Sequence, residues 1–457
     1  MKLTKKVLGV VVTALIGATA FAQRISIAQG PFNYYEAGNI ISNTRISTVG
    51  LYYTDVDNFM SVTRWNTVKP ETFFGHIGYE DELNVGFAKQ FKDFYIGTSF
   101  IGQLDGLTST TTNNDGDKTT TTETSVENAF TAAALFGFGN MAFKATAAWN
   151  GADITNTKNV DGDVIKEENF NLNINLENGF VTKLDDKPLE MSFLLGLDSS
   201  VDKKVDETAD SKTDLSTYTI NVGSSALWTF DTKEKYTQEG LLHLYTSWAI
   251  PSYSQDIGGV KSKGFGMYNN SIALIPEYRI TLNPTERLSM KAGATLPFTF
   301  DFEGDFDYSE TDGDKVYNNL RTENVDVEIQ PMISLGMIYQ VLPEKVNFNM
   351  GIEFATPSLT WETVTTKTRT DVTSKDVDAT STSTVYNYND YIAGVNFGSG
   401  FTVQLAKTVT FDCYWNILSN IFGDDFKSGL NEGNNNFWNT VNKIFVHNIG
   451  FSISAKF

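Results

Sequence analysis

The sequence predicts an all-β chain that closes into an antiparallel, up-and-down transmembrane β-barrel of about 16 strands, with roughly 14 to 18 allowed. Three observations support this prediction. Apolar residues alternate with polar or small residues over most of the chain, short turns alternate with long polar connections, and no stretch beyond the N-terminal region approaches the roughly 20 apolar residues of a membrane-spanning helix. Short periplasmic turns and long extracellular loops are typical of transmembrane barrels.

The first 22 residues predict a secretory signal peptide. Lysines at positions 2, 5 and 6 precede an apolar run, and Ala20 and Ala22 form the A-x-A pattern of a cleavage site. The run is too short to remain in a bilayer as a helix. We therefore expect a signal peptide at 1–22, an N-terminal arm or small plug at 23–43, and a transmembrane barrel at 44–457.

The strand faces are clean from about Leu83 onward. Between Leu189 and Leu197, for example, apolar side chains at odd positions alternate with Glu190, Ser192 and Gly196. Successive side chains of a strand point to opposite faces, so such a strand has one apolar and one polar face. A β-sandwich also alternates, but its loops have similar lengths at both ends. Weaker strand candidates lie around 46–53, 59–67 and 72–79.

Tryptophans mark the predicted membrane boundaries. Trp149, Trp248 and Trp361 each stand just before a long connection, and Trp228 stands just before a short turn. Amphipathic rings are favoured at the headgroup boundary. Packing of a strand end is the simpler explanation for any one of them, and the four together favour an aromatic girdle.

The last strand carries a family resemblance. From Ile449 to Phe457 the odd positions are apolar, the even ones are small or polar, and the chain ends in phenylalanine. This pattern resembles the C-terminal insertion signal of Gram-negative outer-membrane β-barrels. The resemblance implies location in the outer membrane, contact with its lipids and recognition by the barrel assembly machinery, and it does not select a family within that superfamily.

The composition excludes several other classes. The chain has 55 acidic and 35 basic side chains, whereas nucleic-acid binding requires a basic surface. Cys413 is the single cysteine, so no internal disulfide can form. The three histidines, His76, His243 and His447, have no serine motif or acidic partner at informative spacing. We therefore expect no enzyme activity and no cofactor.

Charged residues of both signs on the polar strand faces are the candidate functional residues. A charge on the lipid face near the midplane costs about 2–4 kcal/mol, so these residues are expected to line a wet lumen. There they either influence the selectivity of a pore or pair across strands to fill the interior. The candidates are Lys144, Glu190, Glu277, Arg279, Lys291, Glu328, Glu353 and Asp412.

Three Asp-Gly-Asp triplets occur in the long connections. Clustered carboxylates suit calcium, but the full spaced ligand set is missing and Asp-Gly is first a hairpin-turn signal. We therefore predict turns rather than a metal site. The weak metal candidates are Asp115, Asp117, Asp161, Asp163, Asp312 and Asp314.

The function predicted from the sequence is a porin-like channel for passive diffusion of small hydrophilic solutes, and a homo-oligomer is compatible with it. One alternative is a hydrophobic-substrate transporter similar to the long-chain fatty-acid transporters, with 23–43 as a hatch. The Asn-Pro-Ala motif of that family is absent from the N-terminal region. A second alternative is a surface adhesin or antigen whose acidic, threonine-rich loops at 104–126 and 362–385 bind a host or surface ligand.

Overall fold

The computed structural model describes residues 43–67 and 72–456, with internal gaps. The gaps lie at 78–81, 104–108, 116–117, 159–162, 207–210, 234, 258–259, 266–269, 305–306, 313–314, 319–320, 357–358, 369–378, 389–393 and 417–448. The predicted signal peptide at 1–22 and all but the last residue of the predicted arm at 23–43 therefore lie outside the described residues.

Nearly all regular structure is β. The strands, numbered in chain order, are β1 (Thr72–Ile77), β2 (Glu82–Gln90), β3 (Phe94–Gln103), β4 (Ser109–Asp115), β5 (Lys118–Phe138), β6 (Met141–Lys158), β7 (Asp163–Leu184), β8 (Lys187–Asp206), β9 (Ser211–Lys233), β10 (Tyr236–Ile257), β11 (Val260–Phe265), β12 (Asn270–Thr285), β13 (Leu288–Thr295), β14 (Phe298–Gly304), β15 (Asp307–Asp312), β16 (Lys315–Asn318), β17 (Arg321–Ile329), β18 (Met332–Leu342), β19 (Val346–Ala355), β20 (Leu359–Thr368), β21 (Ala379–Tyr388), β22 (Gly394–Ala406), β23 (Val409–Asn416) and β24 (Ile449–Lys456).

These strands close into an antiparallel barrel of 16 wall strands. The last strand, β24, pairs with β1, so that Thr72 lies opposite Lys456 and Ile77 lies opposite Phe451. Closure leaves no sheet edge inside the wall, which a barrel in lipid requires. The predicted fold class and strand number are therefore confirmed.

Four wall strands each consist of two collinear segments: β13 with β14, β17 with β18, β19 with β20, and β21 with β22. Proline lacks the backbone N–H that a ladder needs, and Pro297 and Pro331 stand at two of the interruptions. Backbone hydrogen bonds continue the ladder beside them: Leu296 N–H to Pro276 O (3.0 Å), Gln330 N–H to Pro297 O (3.4 Å) and Thr356 N–H to Pro331 O (2.9 Å).

The short turns all lie at one end of the barrel. They connect β2 to β3, β5 to β6, β7 to β8, β9 to β10, β12 to β13, β18 to β19 and β22 to β23. In the turn between β7 and β8, Asp185 and Asp186 both have positive φ, as a tight hairpin of this twist requires. At the opposite end, β5 to β10 are 18–23 residues long and extend well past the roughly 9–11 residues that cross a bilayer.

The outer face of the barrel is apolar. On β8, Phe193 (46% exposed), Leu195 (55%) and Leu197 (47%) point outward, whereas Ser192 and Leu194, which alternate with them, are buried. An apolar outer face is the arrangement of a barrel that contacts lipid. Within the described residues, the structure contains no helix long and apolar enough to cross a membrane.

Residues 43–67 do not belong to the wall. They form helix α1 (Asn43–Ser47), helix α2 (Asp55–Asn58) and a 3-10 turn (Trp65–Thr67), so the strands that we predicted around 46–53 and 59–67 are wrong. The strand predicted around 72–79 exists as β1, and the wall begins at Thr72 instead of residue 44.

Local signals explain why this segment is not extended. Val49 and Gly50 have φ of 47° and 78°, which ends α1 in a left-handed turn. Thr54 and Asp57 form a capping box that starts α2, with Thr54 N–H donating to Asp57 Oδ2 at 2.7 Å.

Candidate functional site in the barrel lumen

Residues 43–67 fill part of the lumen, and we call them the plug. Their contacts reach strands on different sides of the closed wall: Thr44 Oγ1 to Thr402 Oγ1 on β22 (3.0 Å), Tyr95 Oη on β3 to Phe59 O (3.0 Å), and Arg64 Nε to Glu190 Oε2 on β8 (2.9 Å). A segment that touches strands on several sides of a closed barrel crosses the interior.

The plug lies at the short-turn end of the lumen. Asp55 forms an ion pair with Lys456, the last residue of β24, at 2.6 Å. Tyr52 shares a hydrogen bond with Ser289, at the start of β13, at 3.0 Å. Both wall residues lie beside the short turns, on the side that the turn lengths predict to face the periplasm.

Residues 56–65 bind the wall through apolar side chains, and we call them the anchored half. Phe59 (1% exposed), Met60 (0%) and Trp65 (5%) are buried. The Trp65 ring also lies 5.6 Å from the ring of Tyr95. One buried cluster contains Val56, Phe59, Met60, Val62 and Trp65 of the plug with Phe74, Ala88, Tyr95, Ala133, Leu135 and Ala142 of the wall.

Residues 44–52 bind the wall differently, and we call them the seated half. Gly336, Gly351 and Gly398 face one another on β18, β19 and β22 and form a glycine seat. A Cβ on Gly351 would lie 2.6 Å from the carbonyl carbon of Thr48, and one on Gly398 would lie 2.8 Å from Ser47 Cα. Glycine is required there because the plug backbone rests directly on the strand backbone.

Neutral hydrogen bonds also link the seated half to the wall. The Thr44 hydroxyl contacts Thr402 Oγ1 and accepts a hydrogen bond from Asn349 Nδ2 at 3.3 Å. The Tyr52 hydroxyl contacts Ser289 Oγ. Burial raises the pKa of Tyr52 to about 12, although the hydrogen bond to Ser289 opposes this rise.

The two halves of the plug are joined by charge and by an aromatic ring. Arg45 lies 3.9 Å from Asp57, and both side chains are almost fully buried. The centre of the Tyr53 ring lies 4.5 Å from the guanidinium carbon of Arg45 and 5.0 Å from that of Arg64, in range for cation–π attraction.

The structure places the eight lumen candidates on the inner face of the wall, and it brings several of them into ion pairs. Lys144 lies 2.8 Å from Glu177, and Lys291 lies 3.0 Å from Glu239. Arg279 Nη2 donates to Glu277 Oε2 at 3.1 Å.

The other candidates have different surroundings. Glu190 binds the plug through Arg64, and Glu353 accepts a hydrogen bond from Ser334 at 3.1 Å. Asp412 is buried, and Glu328 lies on the half-buried inner face opposite Thr299 and Thr360. Pairing across strands accounts for much of this set, and contact of any member with a solute stays a prediction.

Sequence reasoning missed Arg45, Asp57, Arg64, Glu177 and Glu239 as site residues. The plug residues were missed because 44–67 was assigned to the wall. Glu177 and Glu239 occupy inward-facing positions in the two-residue alternation of their strands, as their basic partners do. That alternation was the signal available in the sequence.

A polar ladder lines the inner face on the long-loop side of the plug. Asp198 lies farther along β8 than Glu190 and accepts hydrogen bonds from the amides of Asn173 and Asn221, the latter at 2.5 Å. Asn221 accepts a hydrogen bond from the Tyr245 hydroxyl at 2.5 Å. The lumen therefore presents neutral amides, a phenol and a carboxylate across four adjacent strands.

One aspartate of each Asp-Gly-Asp triplet lies at a strand end. Asp115, Asp163 and Asp312 end or begin strands opposite Lys118, Lys158 and Lys315. Asp117, Asp161 and Asp314 lie outside the described residues. Across the part of the chain that the structure describes, no group of three or more histidine, cysteine, aspartate and glutamate side chains is placed to hold a metal.

Known proteins resemble the chain only at low sequence identity and low TM-score. No family model and no curated protein matches the chain. Among solved structures, the toluene transporter TbuX of Ralstonia pickettii is 8% identical with a TM-score of 0.40, covering 92% of this chain and 99% of TbuX. The copper transporter OprC is 8% identical with a TM-score of 0.35, covering 85% and 80%. The alcaligin outer-membrane receptor FauA of Bordetella pertussis is 11% identical with a TM-score of 0.28, covering 85% and 76%. These similarities assign neither a family nor a substrate to the chain.

Proposed function

We propose that the chain is an outer-membrane transport protein for small hydrophilic solutes whose lumen is closed at the periplasmic end by the plug. The observation that carries this proposal is the position of residues 43–67 across the lumen, bound to several sides of the wall. A segment in that position obstructs passage, so solute crosses when part of the plug moves. The proposal refines the porin-like channel expected from the sequence.

Outer-membrane location is supported by the apolar outer face, the closed wall and the predicted signal peptide. Lipid is then the main contact of residues such as Leu195 and Leu197. The C-terminal strand, β24, pairs with β1 to complete the barrel, which fits a role in recognition by the assembly machinery. We propose no enzyme activity, cofactor or nucleic-acid partner.

Hydrophilic cargo is supported by the inner face. The ladder around Asp198 and the ion pairs of Lys144 and Lys291 present donors and acceptors toward the lumen, whereas the large exposed apolar side chains point outward. A hydrophilic solute can exchange its water contacts for such groups.

A hydrophobic cargo is the second candidate. Leu194, Leu227 and Leu241 point inward and are buried, so the inner face is not uniformly polar. Liposome swelling with sugars and retention of a labelled fatty acid separate the two cargoes. Swelling supports the hydrophilic proposal, and fatty-acid retention without swelling would replace it.

Planar-bilayer conductance of the refolded protein tests the proposal. The wild type is compared with a variant in which 44–66 are replaced by a glycine-serine linker, after both show the far-UV circular dichroism of a β-barrel. We expect brief, small openings in the wild type and stable, ohmic, nanosiemens-scale steps in the variant.

Two results would overturn the proposal. A folded plug-deletion variant that never conducts would favour the adhesin or antigen alternative, in which the barrel displays loops. Equal steady conductance in both proteins would show that the plug is not a barrier.

A further inference from the structure

We infer that the plug opens by release of its seated half while the anchored half stays on the wall, and that the vacated glycine seat binds neutral hydroxylated solutes. This inference rests on the proposed transport function and specifies where the solute passes. It follows from the different contacts that the two halves make with the wall.

The anchored half is costly to detach. Phe59, Met60 and Trp65 are between 0% and 5% exposed, and their release would expose large apolar surfaces to water. Water supplies nothing that replaces those contacts. The Tyr95 hydroxyl additionally donates a hydrogen bond to Phe59 O at 3.0 Å.

The seated half buries fewer apolar side chains than the anchored half, Val49 and Leu51, and several of its polar contacts are ones that water replaces. The glycine seat has no side chains to pack against Ser47 or Thr48. The hydrogen bonds of Thr44 and Tyr52 to the wall join neutral groups, and such bonds exchange with water at a small net change in free energy. Release of this half therefore requires less free energy than release of the anchored half.

The link between the halves survives partly after release. Separation stretches the contact between Arg45 and Asp57, which is already long at 3.9 Å. Asp57 keeps the backbone N–H of Thr54 at 2.7 Å and its hydroxyl at 2.9 Å, because Thr54 caps the same helix. The carboxylate therefore remains hydrogen-bonded.

The position of the Thr44 hydroxyl indicates the class of solute. It lies between Asn349 Nδ2 at 3.3 Å and Thr402 Oγ1 at 3.0 Å, on a wall made flat by Gly351 and Gly398. A hydroxyl of a sugar or of another polyol makes the same two hydrogen bonds when Thr44 leaves. Such a solute competes with the seated half and holds the route along β19 and β22 open.

Two engineered disulfides test which half moves, both in a Cys413→Ser background. Thr44→Cys with Thr402→Cys locks the seated half, since the two hydroxyl oxygens are in contact. Met60→Cys with Gly97→Cys locks the anchored half, since a Cβ on Gly97 would lie 3.0 Å from Met60 Sδ. Mass spectrometry verifies each disulfide before recording.

We expect oxidation of the first pair to reduce channel openings by about tenfold or more, with recovery after reduction, and oxidation of the second pair to change them by less than about twofold. Equal block by both disulfides would show that the whole plug moves. Block by the second disulfide alone would reverse the assignment of the moving half. Absence of block by either would show that openings do not involve plug release.

Glucose is the probe for the seat. We expect glucose to increase the open probability of the wild type in a saturable way, and Asn349→Leu with Thr402→Val to abolish that increase. Sodium chloride at matched osmolality is the control and should have no such effect. An unsaturable or mutation-insensitive response would overturn the solute site.

Hydrogen–deuterium exchange in detergent gives a readout that does not depend on conductance. Amides of 44–52 should exchange faster than amides of 58–65, and similar rates would contradict selective release. If the plug-deletion variant does not conduct, the proposed function fails. If it conducts while the seated-half disulfide has no effect, only the present inference fails.

Discussion

The two halves of the plug differ in how many buried apolar side chains hold them. The wall holds the anchored half with side chains, among them Phe74, Tyr95 and Leu135. It contacts the seated half through Gly336, Gly351 and Gly398, which let backbone approach backbone, and glycines such as Gly179 also lie under the anchored half. The difference teaches that one plug combines a stable attachment and a releasable one. Truncation of a buried apolar side chain should weaken the attachment of the anchored half. Added volume at the glycine seat should weaken the attachment of the seated half.

The largest effect is expected from Gly351→Leu. The new side chain would occupy the space of the Thr48 backbone, since even its Cβ would lie 2.6 Å from the carbonyl carbon. We expect the seated half to leave and the steady conductance to rise by about tenfold or more. Gly75→Leu is the matched control, because a Cβ there meets only Phe73 at 3.8 Å. An unchanged conductance of the folded Gly351→Leu protein would contradict the glycine seat.

Trp65→Ala should weaken the anchored half. Truncation of a buried tryptophan typically costs about 3–5 kcal/mol, here in plug binding instead of global stability. We expect faster deuterium exchange at 56–65 and faster proteolysis there. Trp248→Ala is the control, since Trp248 is 43% exposed on the outer face. Equal exchange at 56–65 in both variants would show that the aromatic cluster does not hold the plug.

Raising the pH should release the seated half. Burial raises the pKa of Tyr52 from 10.0 to about 12. Between these two values the seated half keeps the phenol proton when it is bound to the wall and loses it when it is released. Seating is therefore unaffected well below pH 10 and weakens as the pH rises from 10 toward 12. We expect openings to become more frequent across this window.

Tyr52→Phe is the control for this pH dependence, because it keeps the ring and removes the titrating hydroxyl. Between about pH 9 and about pH 12, where phenols titrate, we expect the openings of the wild type to become more frequent. The openings of the Tyr52→Phe protein should increase only by the amount that other tyrosines contribute. An equal increase in both proteins would assign the effect to another group.

The smallest effect is expected from Lys456→Gln. The ion pair with Asp55 is short at 2.6 Å, but each side chain is 31% exposed. Pairs exposed to solvent contribute about 0–1 kcal/mol. We expect thermal unfolding and conductance close to the wild type, and a large change would show that the rim holds the plug as strongly as the two halves do.

The wall could be predicted from the sequence because each strand has two unlike neighbours, lipid outside and polar lumen inside. Alternation such as that from Leu189 to Leu197 records this difference directly. Tight-turn residues such as Asp185 and Asp186 then separate the strands. The positions of Lys144 and Arg279 in the alternation of their strands likewise place them on the inner face.

The plug could not be predicted in the same way. Many of its side chains are buried against several strands of the wall, so its apolar residues do not form one face with an informative period. The β-prone run at 46–53 was therefore interpreted as a strand. The capping pair of Thr54 and Asp57 was the local signal for a helix.

The sequence by itself determined a closed, outward-apolar barrel and the faces of its strands, because burial against lipid acts locally and repeats every two residues. Tertiary structure alone decided that 43–67 lies within the lumen and that glycines on β18, β19 and β22 form one surface. These features depend on strand register, which brings together residues far apart in the chain. Such distant contacts leave no periodic signal in a single sequence.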